Sequence, residues 1–248
     1  MILDAEIYLG PNLFGPGLDE AALLHSLDAH GINRAVVCPA RPPDYHLGPA
    51  NDRVGAAVRR HPDRLVGFAR VDPHQGPAAL AELRRAVLDL GLRGLLLHPW
   101  EELFAANDPS VEPLLGFAQE RHLLVQIAGG YPLVSHAVQI TDVAGRFPEV
   151  SILATHGGQI NISGRGLYDA GQMLRARPNV YLQTSGVYRE DWLEDTAREL
   201  GAARVVFGSG APYYDQGFEL ERIRRLHLPS GDRNAIAGGN LSRLLALI

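Results

Sequence analysis

The chain has 248 residues, 46% of them hydrophobic, and a formal net charge of −5. All 23 basic residues are arginine, and the absence of lysine excludes a Schiff-base aldolase, a pyridoxal-phosphate anchor and a metal pair bridged by a carboxylated lysine. The single cysteine, Cys38, excludes an intrachain disulfide and a Cys-rich zinc site, and it reads as a core thiol. No apolar run nears the roughly 20 residues of a membrane helix. The arginines are interspersed with acids and not gathered into a nucleic-acid footprint. The first residues read as a strand and not as a leader, so a cytoplasmic location is expected, with no membrane and no nucleic-acid partner.

In chain order, short apolar runs predict strands at 2–8, 34–38, 65–70, 92–98, 123–128, 150–155, 180–184 and 204–208. Between them, apolar residues recur at three- and four-residue spacing over 18–30, 51–61, 77–90, 110–121 and 188–200, which predicts helices. Asp108-Pro109 suits a helix start, and Gly31, Gly91 and Gly201 fall where helices should stop. Eight strands, each followed by a helix, predict an α/β fold: a single (β/α)8 TIM barrel spanning 1–248 as one domain. No Gly-x-Gly-x-x-Gly follows the first strand, and Gly157, Gly158, Gly164 and Gly166 are too loosely spaced for a phosphate loop.

The opening MILDAEIYLG sets Asp4, Glu6 and Tyr8 at alternate positions, so a regular strand points all three to one face. In a barrel the C-terminal end of that strand lies at the mouth, where this fold carries active sites. The other strand ends bring Cys38, Arg70, His98, Gln126, His156, Gln183, Ser185 and Ser209 toward the same mouth. Glu6 and His156 are the candidate catalytic residues. The first is a barrel-interior carboxylate able to act as acid or base; the second is an imidazole followed by two glycines that let backbone approach a ligand. Tyr8, Arg70, His98, Trp100 and Ser209 are candidate substrate-binding residues, Arg70 as a bidentate clamp on a carboxylate and Trp100 as a stacking wall. A plainer alternative pairs Arg70 with Glu6 or Asp72 and leaves both histidines as hydrogen-bonded interior residues. Gly208-Ser209-Gly210 lacks the spacing of a nucleophile elbow.

Several segments carry a family resemblance: GFARVDP, GLRGLLLHP, NDPSVEPLLGFAQERHLLVQIAGG, FPEVSILATHGG, RVVFGSGAPYYD and AIAGGNLSRLL. In this order, over nearly the whole chain, they resemble the amidohydrolase-related branch of the metal-dependent amidohydrolase superfamily. That branch includes the aminocarboxymuconate-semialdehyde and resorcylate decarboxylases. The resemblance implies a TIM barrel acting on a small molecule, usually with a metal held by residues at the ends of strands 1, 5, 6 and 8. Only the strand-6 histidine of that set is kept, as His156, beside His98, a frequent strand-4 histidine that is often not a ligand. Glu6-Ile7-Tyr8 stands in place of His-x-His on strand 1. Ala128 (Ile127 under a one-residue shift) replaces the strand-5 histidine, and Gly208-Ser209-Gly210 replaces Gly-Ser/Thr-Asp. No metal and no other cofactor is therefore expected. The expected chemistry is acid–base: lyase, isomerase, cyclase or hydrolase steps on a small carboxylated or carbonyl-bearing molecule. Two alternatives stay open: a non-catalytic relative that binds a ligand or partners an active paralogue, and a metalloenzyme in which His98 or Asp215 joins Glu6 and His156. A homo-oligomer is compatible with each.

Overall fold

The computed structural model describes residues 1–160 and 164–246. Eight strands, β1 (Leu3–Leu9), β2 (Arg34–Pro39), β3 (Leu65–Arg70), β4 (Gly94–Leu97), β5 (Leu124–Ile127), β6 (Ile152–Ala154), β7 (Val180–Gln183) and β8 (Val205–Val206), pair in sequence order and in parallel. The ring closes where the segment after β8 meets β1. There the N–H groups of Ala5, Tyr8 and Gly210 donate to the carbonyls of Phe207, Ala211 and Glu6. Around it lie α1 (Glu20–His30), α2 (Leu47–Arg60), α3 (Pro77–Leu88), α4 (Glu112–Glu120), α5 (Ala137–Arg146), α6 (Gly164–Ala176), α7 (Glu190–Leu200) and α8 (Gln216–Arg225). This is the expected single (β/α)8 TIM barrel.

The strands are apolar on both faces because both are covered. Val37, Leu95 and Ile127 face outward onto helix residues such as Leu83, Leu114 and Val143. Val36, Phe68, Leu96, Leu124, Leu153 and Val206 face inward and fill the lower barrel. Each such side chain contributes roughly 1.5–3 kcal/mol by leaving water. Two residues further along, the inward positions turn polar: Arg70 after Phe68, Gln126 after Leu124, Gln183 after Tyr181. A polar layer therefore rests on an apolar one, and it forms the floor of the mouth.

The first strand departs from regular alternation. Its register against β2 shifts between Asp4 and Ile7, a bulge that places Asp4 and Ile7, opposite Ala35 and Val37, on the outward side. The expected common face of Asp4, Glu6 and Tyr8 is thus corrected: Glu6 and Tyr8 point inward, while Asp4 turns out toward α8. Its carboxylate accepts the bulge's own N–H, that of Glu6 (3.1 Å), with the Ser209 N–H (2.8 Å) and Gln216 Nε2 (2.7 Å). The bulge re-aims Glu6, and Asp4 satisfies the backbone group it frees.

Other differences have local causes. Helix α2 starts at Leu47 and not at 51, because Pro49 in its first turn has no intrahelical hydrogen bond to lose. The strands predicted at 92–98 and 204–208 are shorter, and after Val206 the chain turns to close the ring. Helices α5, α6 and α8 were not among the predicted spans. Three glycines dilute the apolar signal of α6, and charged residues dilute that of α8.

Candidate active site

Glu6 lies in the polar layer, 1% exposed. Its Oε1 accepts from the Tyr8 hydroxyl (2.7 Å) and Gln126 Nε2 (2.8 Å), and its Oε2 from Gln183 Nε2 and the Ser185 hydroxyl, both at 2.8 Å. The Ser185 hydroxyl also lies 2.7 Å from Gln183 Oε1, but that oxygen already takes the Ser185 N–H at 2.9 Å, so the hydroxyl's one proton goes to the charged acceptor, Glu6. Four donors and no acceptor suit a carboxylate and not a carboxylic acid. None of the four is a cation. Burial, and then the Glu6 charge, hold the Tyr8 hydroxyl well above its ordinary value, so it stays a donor.

His156 follows β6. Its Nδ1 lies 2.7 Å from the Ser185 carbonyl, which can only accept, so Nδ1 carries a proton, and in the neutral ring the lone pair is on Nε2. The residue sits at φ 54°, ψ 20°, in the left-handed region that costs a non-glycine residue roughly 1–3 kcal/mol. Gly157 continues the turn at φ 62°, and a Cβ there would meet the Trp192 ring at 2.9 Å. His98, after β4, has the opposite tautomer. Its Nδ1 accepts the Glu101 N–H at 3.3 Å, leaving Nε2–H as the donor; the Glu101 Oε1 lies 3.6 Å from that nitrogen, beyond direct bonding. Burial pushes this ring down to about 3, so it is neutral.

The two imidazoles wall a cavity of about 210 Å³ whose other sides are mostly rings, with Glu6, Glu101 and Gly210 among them. Trp100 stacks on Tyr131 at 5.5 Å and 12° between planes, and Tyr131 approaches His98 and His156 at 5.8 and 6.2 Å. Tyr214 stands edge-on to His156 at 6.0 Å and Tyr213 to Tyr8 at 5.4 Å. Burial raises the hydroxyls of Tyr131 and Tyr213 above their ordinary value and pushes that of Tyr214 up to about 12. All are neutral near pH 7. The mouth is lined by aromatic side chains but not plugged by them.

Of the residues singled out in the sequence, Glu6, Tyr8, His98, Trp100 and His156 meet at this cavity. Arg70 and Ser209 do not line it. Arg70 is wholly buried, with Nη2 2.5 Å from Glu101 Oε2 and 2.6 Å from Glu102 Oε1, and Nη1 donating to the Pro39 carbonyl at 3.1 Å. Arg41 completes the cluster by donating to Glu102 Oε1 at 2.8 Å. Two cations thus balance two anions, and no donor of Arg70 is turned to a ligand. The alternative ion pairs of Arg70 with Glu6 or Asp72 are corrected too, because Glu101 and Glu102 take the guanidinium instead. Ser209 spends its N–H on Asp4, and its hydroxyl accepts the Ala211 N–H at 3.1 Å. Gln126, Gln183 and Ser185 were legible only as polar strand ends, and Tyr131, Tyr214 and Glu101 were not singled out. An amide ending an otherwise apolar strand, as in LVQI and VYLQ, was the usable signal.

The metal of the family's usual form does not fit this donor set. Both oxygens of Glu6 are filled by neutral donors, His98 Nδ1 is occupied, and Asp215 caps α8 by accepting the Phe218 N–H at 2.7 Å. Among the described residues no group of three or more His, Cys, Asp or Glu side chains is placed to hold a metal ion.

A gamma-resorcylate decarboxylase of Rhizobium sp. (strain MTP-10005) is 24% identical over 282 residues, covering 90% of this chain and 86% of that protein. Among solved structures, a 2,6-dihydroxybenzoate decarboxylase complexed with 2,6-dihydroxybenzoate superposes with a TM-score of 0.80 at 19% identity, over 99% of this chain and 98% of that one. A dihydroxybenzoic acid decarboxylase from Polaromonas sp. JS666, with bound manganese and the inhibitor 2-nitroresorcinol, gives 0.78 at 18% identity, over 99% and 97%. These structural likenesses show the shared barrel. The family model described as Amidohydrolase (Amidohydro_2) matches residues 4–247, and the chain belongs to that family.

Proposed function

We propose that this protein is a metal-independent acid–base enzyme of lyase or isomerase type, acting on a small planar carbonyl-bearing molecule. The observation that carries the reading is the pair of imidazoles of opposite polarity on one cavity, His156 offering a lone pair and His98 an N–H. His156 Nε2 takes a proton from, or returns it to, a ligand carbon. His98 Nε2–H and the neutral Tyr131 hydroxyl donate to the carbonyl oxygen as charge builds there, the Tyr8 and Tyr213 hydroxyls being committed to Glu6 and Glu101. Glu6 is not the base, because its lone pairs are filled. It lies one hydroxyl from the His156 ring, through Ser185 Oγ at 2.8 Å from the carboxylate and 3.4 Å from Nδ1, and balances the charge that the ring gains. The decarboxylase relatives support a lyase, and the cavity's size suits a single substituted ring, since roughly 150 Å³ takes a benzene.

The test is incubation in deuterium oxide with a panel of small cyclic carbonyl compounds, read by NMR. Solvent exchange or turnover should occur in chelator-treated protein and fall by about 10²-fold or more in His156→Gln. Turnover that survives in His156→Gln, or that requires added metal, counts against the proposal.

A further inference from the structure

We infer that the ligand of this cavity carries a positive charge conjugated with its planar ring, as an amidinium, iminium or pyridinium does, and not the carboxylate of the decarboxylases' substrates. The inference rests on the proposed use of this cavity and adds the charge of what enters it. Three observations carry it. Among the described residues, the only charge on the cavity side that no cation balances is that of Glu6, 1% exposed and bonded solely to neutral groups. The nearby cations Arg41 and Arg70 are committed to Glu101 and Glu102, so an entering carboxylate would meet a buried negative charge and no guanidinium. The walls are aromatic faces and edges, with Trp100 and Tyr131 stacked as one slab, a surface that attracts a flat cation.

The chemistry agrees with the charge. Without a Lewis acid, negative charge building on a carbonyl oxygen beside Glu6 has only neutral donors to meet it. A cationic ring brings its own electron sink. When His156 Nε2 removes a proton from the ligand carbon, the C–H electron pair enters the cationic π system, the ligand becomes neutral and His156 becomes an imidazolium. One positive charge faces Glu6 before and after the step, and it has only moved from ligand to ring.

Benzamidinium, benzamide and benzoate have nearly one shape and charges of +1, 0 and −1, so they separate charge from fit. Calorimetric titration at pH 7 should rank them in that order, with benzamidinium at least roughly tenfold tighter than benzamide. In Glu6→Gln, which can be accommodated if Gln126 turns its free Oε1 inward, that preference should disappear. In Tyr131→Leu, which leaves the Glu6 cage untouched, benzamidinium should lose more affinity than benzamide. Equal binding of all three, or a cation preference that both variants keep, overturns the inference. Benzoate binding best overturns it while leaving the cavity as the ligand site. Failure of all three to bind at millimolar concentration overturns the inference and the proposed use of the cavity together.

Discussion

His156 is the residue at which sequence, strain and chemistry meet. The sequence ATHGG puts it before two glycines, yet the left-handed backbone falls on the histidine itself as well as on Gly157 and Gly158. Such strain persists only where surrounding structure imposes it, here by the Nδ1 bond to the Ser185 carbonyl and the packing against Tyr131 and Tyr214. Relieving it should stabilise the fold and abolish function. His156→Gly is expected to be about 1 kcal/mol more stable than His156→Ala in urea denaturation, because only alanine retains a Cβ that disfavours this conformation. Both should lose activity equally. Equal stabilities would mean that the strain is relaxed by local backbone adjustment. Glu6 was readable from its position on the first strand, but its partners were not. Gln126 and Gln183 are 120 and 177 residues away, and only closure of the barrel brings them to it.

At the scale of elements, the bulge in β1 decides which carboxylate faces the ligand. Periodicity predicts one face for Asp4, Glu6 and Tyr8, and no local sequence signal marks the extra residue. The bulge leaves Asp4 buried against α8, where burial raises its carboxyl from 3.8 to about 6 despite three hydrogen bonds. Between those pH values the folded chain holds a proton that the unfolded chain has released. Relative stability from this group is therefore fully present below about pH 4 and is lost as pH rises through 6, by about 3 kcal/mol in all. Asp4→Asn should remove this fall from the stability–pH profile measured between pH 4 and 7, with Gln216 turning its amide to meet the new NH₂. A variant with an unchanged profile would place the titration elsewhere. A second tie joins strand ends: Arg70 at the end of β3 holds Glu101 and Glu102 beyond β4 and the Pro39 carbonyl of β2. Arg70→Met leaves two buried carboxylates without this partner and should cost about 3–5 kcal/mol. In a double-mutant cycle that loss should couple to Glu102→Gln and not to Glu6→Gln. Coupling to Glu6 instead would revive the discarded ion pair.

Across the whole molecule, the barrel was legible because strand and helix periodicities alternate along the chain and most strand residues on both faces are apolar. The cavity was only half legible, since four of its aromatic walls, Trp100, Tyr131, Tyr213 and Tyr214, sit on connections after the strands, where no periodicity applies. What the sequence could not show is how the molecule balances the charges gathered around the mouth. Arg41, Arg70, Glu101 and Glu102 neutralise one another beneath the mouth, and four neutral donors hold Glu6. An ion that bound the native fold would raise its stability by RT ln(1 + [L]/Kd), about 2.7 kcal/mol at a hundredfold excess over Kd, and chelation would remove that gain. If the protein is metal-independent, as proposed, with Glu6 saturated and no three-residue donor group among the described residues, there is no such gain to remove. The melting temperature should therefore stay the same, within a degree or so, after exhaustive chelation and after addition of zinc or manganese. Metal analysis should find well under one equivalent per chain. A stability loss on chelation that either ion restores, or one equivalent of metal retained through purification, would mean that the four donors around Glu6 rearrange to admit an ion.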